Sequence, residues 1–382
     1  MRRYAAAALV AGVVAAAPLS AGAQGTTSSW TSRTIPQKPE AGAPAKPPAA
    51  RVRRRSENVP AAPAGPPPAR GQARLGPPPG LAAPLGKATA PVTGENAAFE
   101  AFELGQYLTA KRLAETAATK GDAAAHTLIA RLYAEGLGVA RDEALAARWY
   151  AKGADLGDTE AAFALGVMMA EGRSIKQDRA TAAELFERAA LKGHPYAHYN
   201  LALLFLRGDG KPENPYRAFL HLRYAAEQGI AAAQYDLATL FLTGHGVKAD
   251  AYQASLWLRR AADQGLASAE FEYAVLLLRG GGLNADLPRA IGYLRSAAGK
   301  GIAAAQNRLA HAYLSGMPGL PQDHVQAQTW RILARDAGLA DEALDKQLAR
   351  RPKTERQRAE IAAQAIRDQS AIGTASAGVA RP

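Results

Sequence analysis

The chain has 382 residues with 46 Lys and Arg against 34 Asp and Glu, a formal net charge of +12 at pH 7 with histidines neutral. It contains no cysteine, which excludes disulfides, thiol nucleophiles and thiolate metal sites. Apolar residues make up 48% of the sequence but are unevenly spread, and only the region after about residue 95 has the pattern to build a core.

Residues 1–23 read as a secretory signal. Arg2 and Arg3 precede the apolar run 5–17, and Ala21-Gly22-Ala23 places small residues for cleavage after Ala23. The run is short for a permanent anchor across a bilayer, and with no cysteine there is no site for a lipoprotein anchor. The expected location is the periplasm. Residues 24–94 are dense in Pro, Ala and Gly, as in Gly65-Pro66-Pro67-Pro68 and Gly76-Pro77-Pro78-Pro79-Gly80. Such a stretch buries too little apolar surface to offset its chain entropy, so a disordered arm of polyproline character is expected.

The arm holds ten Lys and Arg against two acids, so most of the excess charge belongs to it. Arg51-Val52-Arg53-Arg54-Arg55 reads as the one basic cluster. It is first a solvated run that keeps the arm soluble. Beside an anionic lipid or wall polymer, each charge would contribute about 1 kcal/mol. Nucleic acid is disfavoured as a partner, because export removes it and the cluster lacks interleaved aromatics.

Residues 95–121 predict a short helix pair (Ala98, Phe99, Phe102, then Gly105-Gln106-Tyr107, Ala110 and Ala114) that caps the apolar end of a repeat array. The array is built on a 36-residue unit, clearest at 231–266, AAAQYDLATLFLTGHGVKADAYQASLWLRRAADQGL. Gly265 recurs as Gly121, Gly157, Gly193, Gly229 and Gly301; Gly244 recurs as Gly136, Gly172, Gly208, Gly280 and Gly316. Ala233 recurs as Ala125, Ala161, Ala197, Ala269 and Ala305, and Ala254 as Ala146, Ala182, Ala218 and Ala290. A period of this size marks a stacked solenoid.

Each unit predicts two helices. Ala233, Leu237, Ala238, Leu240 and Phe241 share a side of the first. Gly244-His245-Gly246-Val247 breaks it, and Asp250 is the expected N-cap of the second. Asp142, Asp178, Asn214, Asp286 and, one residue late, Asp323 fill the same column. In the second helix Ala254, Trp257, Leu258 and Ala261 are expected to be buried.

The columns A-x-A-x-x-x-L, Y-x-x-G-x-G-V-x-x-D and A-x-x-W-x-x-x-A-A-x-x-G resemble the Sel1-like repeat, a relative of the tetratricopeptide repeat; 131–157, RLYAEGLGVARDEALAARWYAKGADLG, is similar nearly throughout. Six full repeats are expected over 122–340. The resemblance implies an all-α, α/α superhelical solenoid that binds other proteins, often in bacterial envelopes. Departures are Ser174 at the second loop glycine, Pro195 opening the third repeat, and a sixth loop one residue longer at Gly316-Met317-Pro318-Gly319-Leu320.

Beyond the repeats, 341–368 predict capping helices with Leu344, Leu348, Ile361 and Ala365 in helical register and a turn at Pro352. Residues 369–382 are expected to fray.

No catalytic motif is present. His126, His194, His198, His221, His245, His311 and His324 are scattered, and none forms H-E-x-x-H. His194 and His198 are four apart, with Pro195 between them and no acidic ligand nearby in sequence, so a structural or surface role is expected. Gly208-Asp209-Gly210 and Gly280-Gly281-Gly282 fall in the repeat-loop column and read as turns, and the Asp column reads as caps. No metal or cofactor is expected.

What remains is a surface. The first helix of each unit is expected to line the concave side. One variable position per repeat gives Asn200, Asp236, Glu272 and Arg308 as an exposed row, flanked by Arg131, Thr239 and His311 and by Arg207, Thr243 and Arg279. These polar groups of mixed sign suit an extended peptide or a partner helix, whereas Tyr199, Tyr235 and Phe271 in the next column read as core between repeats. The expected function is a non-enzymatic periplasmic adaptor. Partners implied by the resemblance are envelope proteins, such as the periplasmic part of a sensor kinase or cell-wall machinery. The alternative is a cell-wall-associated enzyme, or a protein that binds β-lactam or peptidoglycan. That carry-over rests on cysteine-paired repeats, and this chain lacks them.

Overall fold

The computed structural model describes residues 96–280 and 285–379, with side chains through residue 369. The expected signal segment and Pro/Ala-rich arm lie outside the described residues. Among these, sixteen α-helices succeed one another without a strand. Helices α1 (Ala97–Glu103) and α2 (Tyr107–Ala118) form the opening pair. Six pairs come next: α3 (Ala123–Glu135) with α4 (Glu143–Asp155), α5 (Thr159–Glu171) with α6 (Arg179–Leu191), and α7 (Pro195–Arg207) with α8 (Pro215–Glu227). The other three are α9 (Ala231–Thr243) with α10 (Ala251–Asp263), α11 (Ala267–Arg279) with α12 (Leu287–Gly299), and α13 (Ala303–Ser315) with α14 (His324–Asp336). Helices α15 (Glu342–Ala349) and α16 (Lys353–Val379) close the chain. Through α14, each helix packs against its predecessor and its successor, as in a solenoid.

The ends of the helices arise from the repeated polar and glycine columns. Asp142, Asp178, Asn214, Asp250, Asp286 and Asp323 each accept a hydrogen bond from the backbone N–H three residues on. Gly136, Gly172, Gly208, Gly244 and Gly280 end the first helices at φ between 65° and 73°, the left-handed region where a side chain is disfavoured. The alanine columns are fully sequestered: Ala146, Ala182, Ala218, Ala254, Ala290 and Ala327 each have 0% exposure. Small side chains let paired helices approach, and larger ones would force them apart.

The second loop glycine does a different job. A Cβ at Gly210 would stand 2.3 Å from the carbonyl oxygen of Arg179, and one at Gly246 would stand 2.3 Å from that of Pro215. Arg179 and Pro215 open the second helix of the preceding repeat, so each loop rests on its neighbour's backbone. A Cβ at Gly138 would stand 2.8 Å from the Cβ of Tyr107 at the start of α2, a looser version of the same contact. Ser174 breaks the pattern at φ 54°, and its hydroxyl donates to Glu143 Oε2 at 3.0 Å, on the first residue of α4. The stacking site is kept; a side-chain bond replaces close backbone approach.

Three expectations need correction. Trp257 is half-buried, with the Arg260 guanidinium over its ring at 4.4 Å. Leu344 and Leu348 are buried, but Ile361 is 71% exposed; α16 instead docks through Ala359 and Ala363, a pair of small residues that brings its backbone close to α14. Helix α16 also continues past 369 to Val379, since extending a docked helix costs far less than nucleating one. The turn at Pro352 and the longer sixth loop, closed by a Met317–Leu320 bridge, are as expected.

Candidate protein-interaction surface

The four members of the expected row occupy one column of the first helices: Asn200 on α7, Asp236 on α9, Glu272 on α11 and Arg308 on α13. The expectation that they stand on a solvated face fails for two of them. Asn200 is 5% exposed and Asp236 is 3% exposed, while Glu272 and Arg308 are half-buried. The cause is the neighbouring column. Tyr199, buried at the junction of repeats, reaches across to donate its hydroxyl to Asp236 Oδ2 at 3.1 Å. Ala202 and Ala238, both at 0% exposure, let the helices close over the row. Tyr235 and Phe271 are partly buried against the core, as that column predicts.

These groups are poorly supplied with partners. Tyr199 is the single side-chain hydrogen-bond partner of Asp236, and the Asn200 amide has none among the described residues. Burial pushes the Asp236 carboxyl up to about 6, against the pull of the Tyr199 hydroxyl and the Arg207 charge. Burial also raises Glu272, opposed by Arg279 and Arg308, and lowers Arg308. Arg207 and Arg279 are exposed and form no ion pair among the described residues. Thr239 returns its hydroxyl to the Tyr235 carbonyl at 3.1 Å.

Arg131 and His311 are occupied elsewhere. Arg131 Nε donates to Glu135 at 2.7 Å, and its guanidinium lies 4.7 Å from the Phe102 ring of the opening pair. His311 Nε2 lies 2.8 Å from Asp341 Oδ2, the N-cap carboxylate of α15. Both tie the repeats to their caps, so the candidate site contracts to Asn200, Asp236, Glu272 and Arg308 with Arg207 and Arg279.

His194 proves to be the N-cap of α7, accepting from the Ala197 N–H at 3.0 Å and stacking on Phe163 at 4.3 Å. Sequence reasoning missed the partner of His198. Its Nδ1 lies 2.9 Å from Nδ1 of His221, and its Nε2 lies 3.0 Å from the Ala190 carbonyl, which requires Nε2–H to donate there and Nδ1 to accept from His221. His198 stacks on Tyr224 at 4.0 Å, and His221 is stacked with Phe205. Burial lowers both, His221 to about 4.

A histidine depressed in the folded state contributes stability that is complete above its unfolded value, about 6.5, and is lost as pH falls through the folded value. Glu187 opposes the shift of His221, while Arg217 and His198 reinforce it. Replacing His221 by Phe is therefore expected to make the acid limb of the melting profile between about pH 6.5 and 4 shallower. Parallel profiles for parent and variant would contradict this.

The Sel1 repeat profile matches residues 123–158, 159–194, 195–230, 231–266, 267–302 and 303–339, the same six helix pairs. The chain belongs to the Sel1 repeat family. No curated protein matches it. Among solved structures it is similar to c5321, described as a protective antigen of uropathogenic Escherichia coli with an SLR fold. Identity is 24% and the TM-score 0.62, over 72% of this chain and 62% of that one, a likeness of fold alone. It is also similar to a Sel1 repeat protein from Oxalobacter formigenes, at 27% identity and a TM-score of 0.56, over 66% of this chain and 99% of that one. Sel1 repeat proteins act in general as protein-interaction scaffolds, and their fold is typically non-catalytic.

Proposed function

We propose that this Sel1 repeat protein is a periplasmic adaptor that binds an envelope protein, such as the periplasmic part of a sensor kinase or of the cell-wall machinery, along the first-helix row. The observation that carries the reading is Asp236, a carboxylate at 3% exposure with one hydroxyl partner, one repeat from an Asn200 amide with none. The free oxygen of Asp236 and the Asn200 amide are enclosed but not sealed from solvent, so they keep capacity for further hydrogen bonds. Main-chain N–H groups or a basic side chain of a partner would complete both groups. Among the first helices, α5 and α7 are the most enclosed, each burying nine residues, and α7 carries Asn200 at the start of the row. Export is supported by Arg2-Arg3, the apolar run and Ala21-Gly22-Ala23. The basic run Arg51–Arg55 would give the arm weak attraction to anionic lipid or wall. Osmotic-shock release of a chain beginning at Gln24 checks the location; a full-length chain retained in the cytoplasm would contradict it.

Asp236→Asn keeps the shape and the Tyr199 bond while removing the charge. A carboxyl raised in the folded state costs stability once ionised, so the penalty is present above about pH 6 and vanishes below the unfolded value near 3.8. The variant is expected to be more stable than the parent by about 1–3 kcal/mol near pH 8 and equal to it near pH 3. It is also expected to bind the partner less tightly. A variant that is no more stable near pH 8 would sink the claim that the carboxylate is held at a cost.

A further inference from the structure

A second basic region lies at the C-terminal end. Residues 350–358 contain Arg350, Arg351, Lys353, Arg356 and Arg358 against the single acid Glu355, which Arg351 engages at 3.1 Å. Part of this segment borders a cavity of about 490 Å³ between α14, α15 and α16. Its walls carry Arg331, Arg335, Lys353 and Arg356 against Asp345 and Glu360.

Asp345 is engaged chiefly by Arg331, with the Arg335 charge also acting on it. Arg331 holds both its oxygens, at 2.7 Å each. The side chains of Arg335, Lys353 and Arg356 have no hydrogen bond or ion pair among the described residues. Cations elsewhere in the repeats commonly find a carboxylate, as Arg179 does with Asp209, Lys211 with Glu187 and Lys300 with Glu270. Two further features suit an anion. Helix α16 begins here at Lys353, so its positive end adds to the field of the three cations. Gln328 also lines the cavity, with a buried amide oxygen that has no partner; turned over, the same amide presents donors. The volume is of the size that holds small ligands or a few side chains.

We propose that this cleft is an anion-binding site, taking a ligand that presents a compact, multiply charged oxyanion, phosphate or clustered carboxylate, to Arg335, Lys353 and Arg356. It is separate from the row around Asp236 and does not depend on it. The oxyanion would replace water around the three cations, and the planar guanidinium forks of Arg335 and Arg356 match two of its oxygens at a time. Glu360 is the one unpaired carboxylate on the wall and limits the affinity.

The test uses the full chain at low ionic strength in calorimetric titrations against three probes: inorganic phosphate, citrate, and vesicles containing phosphatidylglycerol. At least one probe is expected to bind at one equivalent. The triple variant R335Q/K353Q/R356Q, its fold checked by circular dichroism, is expected to lose about tenfold or more in affinity for that probe. Glu360→Gln should tighten binding by about two- to threefold. Lys353→Gln alone, at an exposed first-turn position, should weaken it by about threefold and gives the same reading if the triple variant does not fold. Binding of phosphate or citrate in solution assigns a soluble ligand; binding of vesicles alone, weakened by the triple variant although the basic arm is unchanged, assigns a lipid headgroup. No binding of any probe, or equal affinity in parent and variants, would overturn the proposal.

Discussion

Alanine at Gly246 is expected to cost the protein about 3 kcal/mol or more, a loss seldom reached by adding one methyl group. Two effects act together there. The residue sits at φ 75°, where a side chain is strained, and its Cβ would be driven to 2.3 Å from the backbone of Pro215. Backbone cannot rotate aside as a side chain can, so α8 and the loop must separate, and with them the third and fourth repeats. Gly229 supplies the control. It also has positive φ, at 90°, yet a Cβ there meets nothing within 4 Å. Gly229→Ala should therefore lose only the strain, about 1–2 kcal/mol. Denaturant melts of the two variants decide the matter, and equal losses would mean that the loop does not bear on the preceding repeat.

The second large effect is expected at Arg331. Its side chain is nearly fully enclosed, and it donates to Asp345, to Asn307 Oδ1 at 3.1 Å and to the Leu339 carbonyl at 2.8 Å. Asn307 in turn donates to Asp341 at 2.9 Å, and His311 meets the same carboxylate. One guanidinium thus joins repeat six, the linker and α15. Arg331→Met fills the volume without the charge and leaves those acceptors unpaired, for an expected loss of about 3 kcal/mol. Stability in a solenoid is set between nearest neighbours. Hydrogen exchange should therefore rise first in α15 and α16 and hardly at all in α3–α10. Uniform acceleration along the chain would contradict the assignment of Arg331 to the cap.

The repeat architecture was legible because it is periodic. A glycine or aspartate recurring every 36 residues fixes where helices start and stop whatever lies around them, and those positions carry the observed caps and left-handed turns. Depth was not legible. The period places Asn200, Asp236, Glu272 and Arg308 in one column, but whether that column meets water depends on how closely successive helices close. Here Tyr199 seals Asp236 from the repeat before it. Contacts between the two helices of a repeat were equally hidden. His198 and His221 are 23 positions apart, and Arg331 and Asn307 are 24 apart; no local pattern marks either pair. Ile361 misled because an apolar residue in helical register implies a buried face, whereas α16 docks through Ala359 and Ala363, the small residues that permit close approach.

The interaction row is tested most directly by photocrosslinking in cells, with the reactive group at Thr243. A reactive group at 236 would replace the carboxylate under test, whereas Thr243 is exposed and lies two turns along the same helix. Tyr252, 53% exposed on the second helix of that repeat, serves as the opposite-face control. The adaptor reading predicts one dominant envelope protein captured from 243, little from 252, and loss of that product when Asp236→Asn is introduced alongside. Equal capture from both positions, or a product at 243 that is indifferent to Asp236, would contradict it.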